Sequence, residues 1–337
     1  MTGDDDSTPA EENHNESDGI PADDTAPNEK KKSQATRLVD LVLDRYDLGV
    51  SPEGQAFATP KKGAPLVKLL TGSKSSLRTE LANLYFEENG TAASAQPLAD
   101  ALAVVEGRAQ RLDPTELHLR VAQHSDFLVV DLGDATGRSV VLGSGGWGIA
   151  DDAPVRFRRT ALTGALPVPT RGGDLGALWS LLNVAENYRP VLAAVLVSAL
   201  MPTIPHPIVV LTGEQGTGKS SATRMVAAAL DPSPVQLRKP PKDLEAWTTA
   251  ATGSWVVALD NISAIPAHIS DALCRACTGD GDVRRKLYSD NDLHVTAFKR
   301  VVFLNGIDLG VIVEDLADRL VTIGLERIPD ENRRRRR

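Results

Sequence analysis

The stretch that decides the fold is GEQGTGKS, which occupies residues 213–220. An apolar, β-branched run at 206–212 precedes it and predicts a buried parallel strand. Residues 221–230 predict a helix that ends before Pro232. Strand, glycine-rich loop and helix form the setting that the G-x-x-x-x-G-K-[ST] pattern requires. The stretch therefore predicts a phosphate-binding loop at the end of a buried strand.

The residue types in this loop explain how it would hold ATP. Glycines allow backbone conformations that turn N–H groups toward phosphate, and the following helix points its positive end at the same place. Lys219 is expected to reach the β- and γ-phosphates, and the Ser220 hydroxyl to bind Mg²⁺. The predicted ATP-binding residues are Gly213, Glu214, Gln215, Gly216, Thr217, Gly218, Lys219, Ser220 and Ser221.

A second buried-strand pattern, WVVALD at residues 255–260, ends in an acid. A carboxylate at that end of a neighbouring strand is placed to hold Mg²⁺ through water, so Asp260 is predicted to share the metal with Ser220. The next residue is Asn261, which can position a water molecule but cannot take its proton. Three alternatives stay open: Asp260 does more, Glu214 contributes, or hydrolysis is slow.

A third strand pattern, VVFLN at residues 301–305, ends in Asn305. An asparagine at that tip is expected to orient the attacking water beside the γ-phosphate. The alternative is a turn-forming asparagine ahead of Gly306. The two preceding motifs favour the site role. The predicted catalytic residues up to this point of the chain are Lys219, Asp260, Asn261 and Asn305.

Arg319 stands just before a fourth strand pattern at residues 321–325. In ring-shaped ATPases an arginine at such a place often points into the site of the neighbouring subunit and stabilises transferred charge. The alternative is a pair within the chain, with Asp315 or Asp318, and the sequence favours neither. Arg319 is therefore a candidate catalytic residue that would act on another copy of the chain.

The net charge of −8 comes from one end of the chain. Residues 1–29 hold ten acids and no lysine or arginine, whereas the remaining residues hold 35 acids and 37 bases. The folded part is therefore nearly neutral, which neither requires nor excludes a nucleic-acid partner. Residues 1–35 predict a disordered acidic tail because they lack the large apolar residues of a core. Five consecutive arginines predict a basic tail at 331–337.

Cysteine content and hydropathy indicate the cellular compartment in which the protein is expected. The two cysteines, Cys274 and Cys277, have C-x-x-C spacing, but no second pair accompanies them and their surroundings favour a helix over a zinc or redox site. Few cysteines fit a reducing compartment. The N-terminus lacks the apolar core of a signal peptide, and the apolar run at 191–201 is too short to span a bilayer. A cytoplasmic protein without membrane contact is expected.

The chain before the loop divides by its hydrophobic periodicity. Residues 36–110 show spacing typical of helices. The residues that set this spacing at its start are Leu38, Leu41, Val42 and Tyr46. Residues 111–172 hold short alternating or apolar runs between glycine turns, which predict a small β-rich unit and a linker. Residues 173–330 predict the nucleotide-binding domain.

Four segments, in this order and spacing, resemble the AAA+ class of P-loop ATPases: GEQGTGKS, WVVALDN, VVFLNGID and DLADRL. Within that class they are similar to superfamily 3 helicase-like modules of phages, plasmids and integrative elements, including modules attached to primases. An actinobacterial group of ATP-binding proteins shares two further stretches, at 269–281 and 284–292. The resemblance covers about 112–330, and its motifs are specific across 206–328.

The resemblance implies a three-layer αβα core that works as a ring, often a hexamer, on single-stranded or forked DNA during replication. A primase or another replication protein is the implied partner. By position, the resemblance makes Lys219 and Ser220 the Walker A residues, Asp260 Walker B, Asn305 sensor 1 and Arg319 the arginine finger, with Arg284 and Arg285 as weaker candidates for a contact between subunits. It also implies a helical lid after the last core strand, which 331–337 does not supply, so the lid is expected to be missing.

A hairpin predicted at 285–298 bears on DNA contact. Helicases of this class push a basic hairpin tip into the channel, whereas the tip here, SDND at 289–292, is acidic and would repel phosphate. The basic residues beside it, which are also compatible with ordinary solvated strands, are Lys286, His294, Lys299 and Arg300.

Together these patterns predict an α/β protein: a three-layer αβα, AAA+-like P-loop core with a helical and small β-rich N-terminal region. The leading function is an ATP-hydrolysing, helicase-like DNA motor or replication accessory of a mobile element. The alternative is a slow ATP-dependent switch or remodeller that acts on protein partners without DNA. A small-molecule kinase is disfavoured because the sequence offers neither a substrate-closing lid nor the arginines such a lid carries.

Overall fold

The computed structural model contains a mixed α/β chain with both parallel and antiparallel sheets. The described residues are 32–72, 75–279, 281–285, 293–306 and 312–328, with the backbone alone at 281–285 and 293–297. Three predictions fall outside them: nearly all of the acidic tail at 1–35, the hairpin tip at 289–292 and the basic tail at 331–337. None of the helices in the described ranges combines the length and apolar character that a membrane span requires.

The N-terminal part combines helices with a small antiparallel sheet of order β1-β2-β3. Its elements are α1 (Gln34–Arg45), β1 (Tyr46–Val50), β2 (Ala56–Pro60), β3 (Lys68–Leu69), α2 (Leu77–Asn89) and α3 (Ala95–Ala109). The helical prediction for 36–110 is therefore wrong between residues 46 and 69. Tyr46 begins a strand there, and Gly54, with a φ of 78°, lets the chain return as a hairpin.

The β-rich unit forms where the sequence alternates. Its elements are β4 (Leu117–His118), β5 (Val121–His124), β6 (Phe127–Asp131), β7 (Ser139–Gly143), β8 (Gly146–Ala150) and β9 (Arg156–Phe157). Strands β5 to β8 pair as an antiparallel meander, and β4 pairs with β9 in parallel. Val121 and Val130 on one face of this meander belong to the same large buried cluster as Val209 and Phe303 of the parallel sheet, and helix α6 contributes to that cluster as well.

The C-terminal part is built on a parallel sheet. Its elements are α4 (Leu175–Leu181), a 3-10 helix (Glu186–Tyr188), α5 (Arg189–Ser198), β10 (Ile208–Thr212), α6 (Lys219–Leu230), α7 (Leu244–Gly253), β11 (Val256–Leu259), α8 (Ala267–Thr278), β12 (Gly281–Arg285), β13 (Leu293–Ala297), β14 (Val301–Asn305), α9 (Glu314–Ala317) and β15 (Leu320–Gly324). Strands β12 and β13 pair antiparallel, so a hairpin is present, but it begins at Gly281, four residues before the predicted bounds of 285–298.

Strand order in the parallel sheet is β11-β14-β10-β15. The apolar runs predicted as buried strands are buried along β11 and β14 and at four of the five positions of β10. The register pairs Leu211 with both Asn305 and Ile323, so the strands end at one common edge. That carboxyl edge brings together the loop after β10, Asp260 after β11 and Asn305 at the end of β14.

A buried ion pair joins the β-rich unit to the parallel sheet. Arg120 is fully buried, and its Nε donates to Asp231 Oδ1 at 2.8 Å. The other oxygen of that carboxylate, Oδ2, accepts from the backbone N–H groups of Trp255 (2.9 Å) and Val256 (3.0 Å). Arg120 also donates to the carbonyl of Gly164 at 2.7 Å. One carboxylate thus ties the end of α6 to the beginning of β11 and to the β-rich unit.

Side chains from three segments cap the C-terminus of α7. The last carbonyls of a helix have no partner within it, and this end favours positive charge. The four donors and the carbonyls that they contact are Arg238 to Ala250, Arg300 to Ala251, Arg158 to Thr252 and the Thr160 hydroxyl to Gly253. Burial lowers the pKa of Arg238, of Arg158 and of Arg300. The four hydrogen bonds hold helix α7 against the sheet and the β-rich unit.

Candidate functional site

The glycine-rich loop leads directly from β10 into α6. Gly216 and Gly218 adopt φ values of 87° and 76°, in the left-handed region that favours glycine. Gly218 is the N-cap residue of α6, which begins at Lys219. The first N–H groups of a helix have no partner within it, so this end offers donors to an anion. Strand, loop and helix thus follow one another as the sequence pattern predicts.

Lys219 lies over the loop from which it emerges. Its ammonium group donates to the carbonyls of Gly213 (2.8 Å) and Glu214 (2.9 Å). The hydroxyl of Thr217, a buried residue, also donates to the Glu214 carbonyl, at 2.9 Å. These contacts close the loop on itself. The predicted ligand residues that are exposed are Glu214, Gln215, Gly216 and Ser221.

Asn183 joins the loop to the segment that follows β15. Its side-chain amide donates to the carbonyl of Thr217 and to that of Glu326, the latter at 2.6 Å. A Cβ added at Gly213 would stand 3.0 Å from the Leu325 carbonyl, so the segment after β15 packs closely on the loop. Asn183 was not among the predicted site residues, because a lone asparagine 30 residues before the motif carries no sequence pattern.

Ser220 and Asp260 meet at the carboxyl edge of the sheet. The Ser220 hydroxyl donates to Asp260 Oδ1 at 2.7 Å, and the Asp260 N–H donates to the Arg238 carbonyl at 2.8 Å. Mg²⁺ on nucleotide phosphates takes oxygen ligands, usually one or two from protein and the rest from water and phosphate. A carboxylate and a hydroxyl in contact fit that requirement. Within the described ranges, no group of three or more His, Cys, Asp or Glu side chains converges.

Asn261 follows Asp260 in a left-handed conformation, with a φ of 58°. Asparagine is among the non-glycine residues that tolerate this region. Its backbone N–H donates to Asn305 Oδ1 at 3.1 Å, and its own side chain is exposed at the edge of the sheet. The side chain therefore stands beside Ser220 and Asp260, open to solvent.

Asn305 is buried, and protein groups contact both ends of its amide. Its Nδ2 donates to Thr223 Oγ1 at 3.0 Å, in addition to the contact from Asn261. Its backbone carbonyl accepts from the N–H of Ile262 at 2.8 Å. Thr223 lies one helical turn after Lys219. It was not among the predicted site residues, because a threonine inside a helix belongs to no sequence motif.

Arg319 lies at the amino ends of the parallel strands, whereas the glycine-rich loop lies at their carboxyl ends. It directly precedes β15, whose first residue pairs with the first residue of β10. A five-residue strand at about 3.3 Å per residue puts those amino ends roughly 15 Å from the loop. Arg319 Nη1 donates to the Asp315 carbonyl at 2.6 Å and to its carboxylate, and this hydrogen bond raises the arginine pKa. The pair with Asp315 that the sequence left open is therefore formed.

Comparison with known families points to replication proteins. Residues 175–336 match the family described as actinomycete integrative conjugative element replication protein. The match covers slightly less than half of the chain and includes every predicted site residue. No curated protein matches the chain. This region is thus similar to replication proteins of mobile elements, which agrees with the sequence expectation at that level.

Solved structures of the C-terminal region of NrS-1 are also similar to this chain. Its apo structure shares 13% identity at a TM-score of 0.42, covering 88% of this chain and 62% of that one. Two A-form apo structures share 12% identity with the same coverage, at TM-scores of 0.43 and 0.42. The chain thus spans 62% of the length of these structures, and the family match is the stronger of the two findings.

The C-x-x-C pair lies on a helix, as predicted. Cys274 and Cys277 are free and buried in α8. Burial raises the pKa of the Cys274 thiol to about 11 and that of Cys277 to about 12. Since the thiolate is the form that binds metals and attacks electrophiles, both residues are core positions. The side chains of Arg284 and Arg285, the weaker candidates for a contact between subunits, lie outside the described residues.

Proposed function

We propose that the chain binds ATP with Mg²⁺ at residues 213–220 and hydrolyses it, as a helicase-like motor or replication accessory of a mobile element. The observation that carries this proposal is the 2.7 Å contact between Ser220 and Asp260 beside Lys219, at the carboxyl edge of a parallel sheet. Ligands bind at this edge in open α/β sheets. The family match at 175–336 supplies the replication context.

Each residue has a distinct part in the proposed site. Lys219 leaves the loop carbonyls and pairs with the β- and γ-phosphates, while the N–H groups at the start of α6 face the same anion. Ser220 and Asp260 hold Mg²⁺, which neutralises charge on the phosphates when bound. The exposed amide of Asn261 orients water, and the adjacent carboxylate of Asp260 accepts its proton.

A P-loop core of the AAA+ type and a ring assembly belong to the same proposal. The strand order β11-β14-β10-β15 places the loop-bearing strand between β14 and β15, with the acid-bearing strand next to β14. Arg319, roughly 15 Å from its own loop by the strand rise, is too distant to act there, so in the proposed ring it acts on the site of another copy. It would have to leave Asp315 to do so.

A second function is favoured by Asn261. The residue beside the metal-binding acid carries an amide where a fast hydrolase needs a proton acceptor. A protein that binds ATP tightly, hydrolyses it slowly and changes its affinity for protein partners fits this substitution. DNA separates the two functions, because only the motor is expected to be stimulated by it.

Nucleotide binding and turnover in three forms of the full chain test the proposal. The wild type is expected to bind ATP only with Mg²⁺, and Lys219→Ala to lose binding and hydrolysis. Lys242→Ala is the matched control, because the Lys242 side chain is 87% exposed and its paired acid is the adjacent residue Asp243. Absence of Mg²⁺-dependent binding in the wild type would contradict the proposal. ATPase turnover that single-stranded DNA leaves unchanged at every salt concentration would favour the switch.

Complementation tests the action of Arg319 on another copy. Arg319→Ala is expected to retain ATP binding and to lose hydrolysis. Mixing it with Lys219→Ala should restore part of the activity, because some interfaces then combine an intact Lys219 with an intact Arg319. No restoration, in a mixture that sizing shows to be co-assembled, would remove Arg319 from the catalytic residues.

A further inference from the structure

Asn305 is expected from sequence to contact the attacking water, and the geometry points to a different role. We infer that Asn305 is a positioning residue that holds the two halves of the metal site, Ser220 and Asp260, at a fixed separation. This inference rests on the proposed function, because it assigns a task within the proposed Mg²⁺ site. Three observations carry it.

The first observation is that the amide of Asn305 is already occupied. The residue is 2% exposed, its Oδ1 accepts from Asn261 N–H and its Nδ2 donates to Thr223 Oγ1. Chemistry fixes this orientation, because a backbone N–H can only face the oxygen of the amide. A water at a bound phosphate would therefore compete with partners that Asn305 holds inside the protein.

The second observation is what these partners belong to. Asn261 directly follows Asp260, and Thr223 lies on the first turns of α6, where its hydroxyl donates to the Lys219 carbonyl at 2.9 Å. The hydroxyl can donate to that carbonyl and still accept from Asn305. A continuous chain of hydrogen bonds thus runs from the residue after the acid to the carbonyl of the loop lysine.

The third observation is that a second link joins the same two segments. The Ser220–Asp260 contact also runs from the start of α6 to the turn after β11. The two links are parallel, but only the Asn305 link contains a buried hydrogen bond, between Asn305 and Thr223, and only this link is made without the proposed metal-binding groups. If Ser220 and Asp260 gave up their mutual contact to hold Mg²⁺, the Asn305 link would remain and would keep the two oxygens within reach of one ion.

The two possible roles of Asn305, positioning the metal site or contacting water, make different predictions for Thr223. This residue is buried, and its hydroxyl donates to the Lys219 carbonyl. If Asn305 positions the metal site, Thr223→Val and Asn305→Ala should each raise the Mg²⁺ concentration for half-maximal ATP binding by about 10-fold, as for residues that support metal ligands. The double variant should need no more Mg²⁺ for half-maximal ATP binding than the more impaired single variant, because both substitutions break the same chain of hydrogen bonds. Thr223→Ser keeps the hydroxyl and should behave like the wild type.

One pattern of results would overturn the inference. In that pattern Asn305→Ala loses turnover while the Mg²⁺ dependence of its ATP binding stays at the wild-type value, and Thr223→Val changes neither turnover nor the Mg²⁺ dependence. Thermal unfolding of each variant establishes that it is folded before binding is measured.

Hydrogen exchange in the nucleotide-free protein separates this inference from the proposed function. The amides of residues 260–262 should exchange faster in Thr223→Val than in the wild type, and at the wild-type rate in Thr223→Ser. Unchanged exchange in Thr223→Val would overturn the link itself, whether or not the protein binds ATP. Absence of ATP binding in the wild type with the predicted exchange pattern would overturn the proposed function alone.

Discussion

The carboxyl edge of the parallel sheet and its junction with the β-rich unit are both polar, but they use polar groups in opposite ways. At the edge, Ser220 and Asp260 are partly exposed and bond chiefly to each other. At the junction, Arg120 and Asp231 are buried, and their contacts are with the protein.

The difference separates stability from binding. A buried charge has lost its water, so its protein partners decide whether the fold tolerates it. A partly exposed pair keeps water as an alternative partner, so a ligand can replace one contact with another at small cost to the fold. The junction is therefore expected to govern folding and the edge to govern nucleotide binding, and four substitutions test this division.

The largest effect is expected at Asp231. Asp231→Asn keeps the shape of the side chain but leaves the buried Arg120 without a counter-charge, which costs about 3–5 kcal/mol of unfolding free energy. Chemical denaturation measures it. The control is Glu88→Gln, because Glu88 pairs with Arg45 where both side chains are more than two-fifths exposed, and such pairs contribute about 0–1 kcal/mol. Equal effects from the two substitutions would contradict the division.

A pH effect is expected on the junction side from His206. This residue is 2% exposed, packs edge-on against Trp255, and neither ring nitrogen has a hydrogen-bonding partner among the described residues. Burial, with a smaller contribution from Lys299, lowers the His206 pKa from 6.5 to about 4.

The unfolded chain therefore binds a proton at His206 between pH 6.5 and 4 that the folded chain does not. The contribution of neutral His206 to stability is complete above pH 6.5 and is lost as pH falls toward 4, by about 3 kcal/mol. His206→Phe should flatten the dependence of unfolding free energy on pH within this window. An identical pH profile in wild type and variant would show that His206 does not titrate in this way.

A smaller loss is expected at the capped end of α7. Thr160→Val removes the hydroxyl that donates to the Gly253 carbonyl at 2.7 Å, which costs about 1–3 kcal/mol. Thr249→Val, at an exposed position of the same helix, should stay within about 0.5 kcal/mol of the wild type. Thermal unfolding of the two variants makes the comparison, and a loss at Thr249 as large as that at Thr160 would count against the cap.

The smallest effect on stability is expected at Asp260. Asp260→Asn is the same chemical change as Asp231→Asn, yet it should alter the unfolding free energy by less than about 1 kcal/mol, because the side chain is partly exposed. It should nevertheless abolish the Mg²⁺ dependence of ATP binding. A variant that unfolds as readily as Asp231→Asn would place Asp260 among the structural residues.

Sequence patterns predicted the elements that local chemistry controls. The buried strands β10, β11 and β14, the glycine-rich loop, the helix that carries Cys274 and Cys277 and the strands of the β-rich unit all follow from runs of a few residues. The strands between Tyr46 and Leu69 were missed because the helical spacing that begins at Leu38 was extended past the end of α1, although Tyr46, Leu48 and Val50 alternate as a strand does. Arg120 and Asp231 were missed because a pair 111 residues apart leaves no periodic signal.

The sequence by itself determined which residues stand at strand ends, because a motif is a local arrangement of backbone and side chain. The tertiary structure alone decided what each of them touches. Parallel register brought Ser220 to Asp260 and enclosed the amide of Asn305, and it set Arg319 at the far edge, beside Asp315. Such contacts depend on how distant segments pack, and packing is a property of the whole chain rather than of any one stretch.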